Sequence, residues 1–137
     1  MNAPLHREMP GAPAWDAAAA LDQIGRQWDG DIVRRLSDYI AIPAKSLAFD
    51  PDWAAHGFID RVVRDAAQWV ESQKVPGLKL EVVRIDGRTP VIFFEIEGTK
   101  AGAAQTVLMY GHLDKQPEFT GWRSDLGPWT PKYEDGK

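Results

Sequence analysis

His112 and Asp114 are residue types that bind metal ions or move protons, and only Leu113 separates them. In an extended backbone successive side chains point to opposite sides, so His112 and Asp114 share one side and Leu113 takes the other. A neutral imidazole is a ligand for zinc or a similar divalent ion, and a nearby carboxylate holds its ring and raises its basicity. Gly111, just before the pair, leaves room for close approach. The same tripeptide also suits a structural histidine hydrogen-bonded at a strand end, and these residues alone leave both readings open. With no cysteine in the chain, thiolate sites, disulfides and a Cys nucleophile are excluded, so any ion must sit on His and carboxylates.

Other chemistry-bearing residues carry less. His56 has Asp52 and Asp60 four residues to either side, near one helical face, but nothing there completes a ligand set. A solvated face with local charge–imidazole contacts is expected. His6 receives no role, and Glu118, Asp125 and Glu134 are expected to be solvated loop charges. Among the 6 tryptophans, Trp28 and Trp69 fall on apolar helical faces and are expected in the core, whereas Trp122 and Trp129 belong to a loop or short strands after the apolar run of residues 106–110. No Gly-x-Gly-x-x-Gly, Walker or Gly-x-Ser-x-Gly pattern appears. The formal charge of −4, without a basic run to neutralise a phosphate backbone, makes nucleic acid an unexpected partner. No apolar run reaches the roughly 18–20 residues that span a bilayer. No membrane association and a cytoplasmic location are therefore expected.

The elements that must position the pair follow from pattern. At 137 residues, 44% hydrophobic and 26% charged, the chain has ordinary globular composition. Residues 1–13, with Pro4, Pro10, Pro13 and Gly11, read as a flexible arm before a folded portion of residues 14–137. Apolar steps of three and four predict a helix over 14–28 through Leu21, Ile24 and Trp28. A second helix over 31–42 follows a bend at Gly30, capped by Asp29 or Asp31 and stopped by Pro43. Asp50-Pro51 starts a third, over about 51–74, with Phe58, Val62, Ala66, Trp69 and Val70 as its buried stripe. Alternation then predicts strands through Leu78, Leu80 and Val82 and over 91–96, antiparallel about Asp86-Gly87. Residues 106–110 form an apolar run, expected as a central strand that delivers the histidine pair to its C-terminal end. The fold class is α/β, with N-terminal helices packed on a mixed β-sheet.

The run from Val107 through Gly111-His112-Leu113-Asp114-Lys115-Gln116-Pro117, then Gly121-Trp122, Pro128-Trp129-Thr130-Pro131 and Asp135-Gly136-Lys137, resembles the first active-site segment of peptidase family M20. The likeness is to its dipeptidase and carnosinase-like branch. It implies a metal-dependent hydrolase of short peptides, usually with two zinc ions, Mn or Co being alternatives, and a homodimer when complete. His112 would be a metal ligand. Asp114 would belong to the catalytic machinery as the carboxylate supporting that ligand, and neither residue would be the nucleophile. The family's remaining ligands and its general base follow Asp-Gly-Lys, where this sequence stops. The resemblance thus implies an incomplete part of a zinc-peptidase-like catalytic domain, inactive alone and without the lid and dimerisation domain. An N-acyl-amino-acid deacylase is the alternative within the family. A small-ligand binding module and a structural or interaction domain are the alternatives outside it.

Overall fold

The computed structural model describes residues 16–98 and 106–137, so the arm of residues 1–13 falls outside it. The chain divides into two compact units, Met1–Arg35 and Leu36–Lys137.

In the first unit, helix α1 (Ala17–Gln27) begins where the Asp16 carboxylate accepts from the Ala19 amide at 3.0 Å, relieving one of the unpaired donors of a first helical turn. A wide π-turn over Trp28–Ile32 follows, leading into helix α2 (Val33–Ile40). The sequence predicts a bend with a fresh cap here. The chain stays helical instead, because a wide turn absorbs an extra residue without breaking the ladder. Asp31 accordingly is no cap and pairs with Arg35 at 2.8 Å and Arg34 at 3.2 Å. The predicted buried face of α1 is also corrected. Leu21, Ile24 and Trp28 are exposed, since periodicity marks an apolar stripe but burial requires an element to cover it.

In the second unit, the predicted single helix over 51–74 is two: α3 (Trp53–His56) and α4 (Phe58–Ser72). Gly57 separates them with φ 71° and donates to the Trp53 carbonyl at 3.0 Å, the left-handed geometry that ends a helix. The α4 face that turns inward is Ile59, Val62, Val63 and Ala67, so of the predicted stripe only Val62 is fully buried. With Ile42 and Ala44 these residues make the core, around which Tyr39, Trp53, Phe58, Val82, Ile92 and Leu113 pack.

Strands β1 (Leu78–Val83) and β2 (Val91–Ile96) form the predicted antiparallel hairpin, in register from Leu78 opposite Ile96 to Val83 opposite Val91. The alternating partners Val82 and Ile92 face α4 and the core, while Lys79 bridges Glu95 and Glu97 on the surface. Among the described residues the sheet has these two strands only, so the mixed sheet is corrected to an antiparallel pair. Residues 106–110 are not a central strand; Val107, Leu108, Met109 and Tyr110 are 84–91% exposed. An apolar run becomes a buried strand only when neighbouring strands take up its amides and carbonyls, and composition does not supply them. Among the described residues no helix is long and apolar enough to cross a membrane.

Candidate metal-ligand segment

The segment carrying His112 and Asp114 has no regular secondary structure and is held by its neighbours within the second unit. Lys115 pairs in parallel with Lys45: its amide donates to the Ala44 carbonyl at 2.9 Å, and its carbonyl accepts from the Ser46 amide at 2.9 Å. Two residues earlier, the Leu113 side chain packs against the core, and its carbonyl accepts from the Tyr39 hydroxyl at 2.8 Å. With Leu113 committed inward, alternation sends His112 and Asp114 outward, as their spacing predicts. Their side chains are 63% and 40% exposed.

They meet. His112 Nδ1 lies 3.1 Å from Asp114 Oδ1 and 3.0 Å from the Asp114 carbonyl oxygen. Both partners are acceptors, so Nδ1 carries the proton of the neutral ring and Nε2 keeps the lone pair. This is the tautomer a metal-binding imidazole needs when it binds through Nε2 with a carboxylate behind it. The donor set is nonetheless short, because among the described residues no group of three or more His, Cys, Asp or Glu could hold an ion. One imidazole and one supporting carboxylate fit a single ligand position, not a closed four-coordinate site.

Charged and aromatic residues frame the pair. The Lys115 ammonium donates to the carbonyls of Tyr39 and Ile42 and sits 4.0 Å over the Tyr39 ring and 5.5 Å from the Trp129 ring. Burial pushes it down to about 8, because a poorly solvated ammonium is disfavoured. The Tyr39 phenol is raised, first by burial and then by the charge of Asp114. Glu118 is no isolated loop charge; it pairs with Lys45 at 3.1 Å. Its own backbone amide and Lys45 hold it below the usual carboxylate range. Asp125 and Glu134, expected as solvated, share Arg123 and Lys132 in one surface network. Arg123 and then Lys132 lower Asp125. Trp122 donates its indole N–H to the Phe119 carbonyl at 2.8 Å, and the Trp129 ring stands beside the Lys115 ammonium.

His56 stands apart from this segment in its contacts. Its Nδ1 lies 2.9 Å from both oxygens of Asp50, not from Asp52 or Asp60, and Asp60 pairs with Arg84 at 2.5 Å. Asp50 is buried, so this contact satisfies a carboxylate that would otherwise be costly inside the fold. Sequence reading missed Tyr39 and Lys115 as parts of the site. The only signal for Lys115 was its place directly after Asp114, and for Tyr39 there was none, since its partner is 74 positions away. No family model matches the chain, and no curated protein matches it.

Proposed function

We propose that this chain supplies the first metal-ligand segment of a metal-dependent peptidase or amidohydrolase acting on short peptides. His112 is the ligand, through Nε2, and Asp114 is its support. The observation carrying this reading is the His112 Nδ1 contact with Asp114, which selects the Nε2-binding tautomer. A bound metal ion would supply an activated water and a polarised scissile carbonyl. The chain's own contribution is narrower: it orients one imidazole with Nδ1 toward Asp114, leaving Nε2 as the atom to bind. Among the described residues no ligand set closes around the pair, and no turnover is expected of the chain alone.

Zinc titration of the chain and of His112→Ala and His56→Ala tests the ligand assignment. Weak uptake that is lost in His112→Ala and kept in His56→Ala is expected; uptake indifferent to His112 overturns it. A dipeptide hydrolysis assay on this chain, and on the chain extended to the stop codon of its reading frame, tests the rest. Turnover confined to an extended form is expected. Turnover by neither form transfers the reading to a non-catalytic module, which the exposed 106–110 run favours.

A further inference from the structure

Beyond the single parallel bridge at Lys115, no strand ladder sets the backbone of this irregular segment. At His112–Asp114 the fixing is done at Leu113, from two directions. The Leu113 side chain is set among the core residues, and its carbonyl is held by the Tyr39 hydroxyl at 2.8 Å. Together they define the plane of the peptide that joins Leu113 to Asp114, and hence whether the Asp114 carboxylate comes back toward the imidazole. Tyr39 cannot drift from this post. Lys115, one residue beyond the pair, covers its ring at 4.0 Å and donates to its carbonyl. The end of α2 is thereby fastened to both sides of the segment.

We propose that Tyr39 is a positioning residue for the His112–Asp114 pair, its hydroxyl orienting the intervening peptide so that Asp114 selects the His112 tautomer with the lone pair on Nε2. This role rests on reading the pair as ligand and support. Without the hydroxyl, the Leu113 carbonyl turns to water, the carboxylate swings free, and His112 relaxes to the tautomer mixture of an exposed imidazole.

The test is side-chain 15N NMR of His112 in the metal-free chain and in Tyr39→Phe. The expected result is an Nδ1-protonated ring in the parent and a shift toward Nε2 protonation in the variant, with backbone amide spectra otherwise alike. Gly57→Ala, which strains the turn between α3 and α4 outside the core cluster that holds Leu113, should lower the melting temperature and leave the tautomer unchanged. An unchanged His112 in Tyr39→Phe overturns the proposal, as does an equal shift in Gly57→Ala. Should Tyr39→Phe not fold, the parent chain still decides the matter. A Tyr39 hydroxyl proton protected from solvent exchange supports the bond, and one in fast exchange overturns it. None of these readouts uses metal, so failure of zinc to bind sinks the ligand reading while leaving Tyr39 as the residue that orients the pair.

Discussion

The Lys115 ammonium lies against the carbonyls of Tyr39, Ile40 and Ile42, so it closes the C-terminal end of α2 where unpaired carbonyls and the helix dipole favour a cation. Burial opposes this and lowers its proton affinity from 10.5 to about 8. Between those values the unfolded chain holds a proton there that the folded chain has released, so stability rises with pH across that window. Tyr39 acts in the opposite sense: its phenol is raised from 10.0 on folding, so its contribution is lost as pH climbs past the unfolded value. Thermal melts from pH 7 to 11 should therefore show stability climbing above about pH 8 and turning down beyond about pH 10. Lys115→Met should remove the climb, and an unchanged climb in that variant would refute the assignment. At this scale the His112–Asp114 contact was legible, because alternation across one residue is a local rule. Tyr39 and Lys115 were not, because their contacts join positions 74 and 76 residues apart and depend on how the chain returns.

Among the elements, the hairpin shows what local chemistry settles. The alternating runs on either side of Asp86-Gly87, with Gly87 at φ 69°, specify strand, turn and strand without help from elsewhere. The α3–α4 break at Gly57 is equally local, although the Asp50-Pro51 start and the apolar stripe beyond it predict one continuous helix. Gly57 sits at φ 71°, with open space where a Cβ would stand, so the obstacle to another residue is backbone strain alone. Gly57→Ala should destabilise the fold by about 1–2 kcal/mol, and Gly57→Asn by less, since asparagine tolerates this region better. Denaturant titration of the three proteins checks this; equal midpoints would mean that the break relaxes into one helix. The same break explains the shifted stripe. Once α4 starts afresh at Phe58, its inward face is fixed by contact with Ile42 and Ala44, a long-range condition that periodicity does not contain.

For the molecule as a whole, the decisive contrast lies between a core of small extent and a large exposed apolar surface. Ile42, Ala44, Ile59, Val62, Val63 and Ala67 are buried, whereas Leu108 and Tyr110 are each 91% exposed and Phe93, Phe94 and Ile96 about half exposed. Residues 106–110 combine apolar side chains with backbone that lies outside the sheet, a combination that invites pairing between chains. The α/β class was legible because composition and periodicity report what each segment is able to bury. The state of 106–110 was not, because burial belongs to the pair of surfaces and one sequence describes only one of them. The purified chain should therefore self-associate on concentration, visible as a rising mean sedimentation coefficient. Leu108→Lys removes an apolar side chain whose burial is worth about 1.5–3 kcal/mol, so it should weaken association by roughly 10–100-fold. Because Leu108 makes little contact within the folded chain, the melting temperature measured at high dilution should stay as it was. A Leu108→Lys chain that associates like the parent would move the adhesive surface to β2 or to the apolar face of α1, and one that melts earlier would show that 106–110 is part of the core after all.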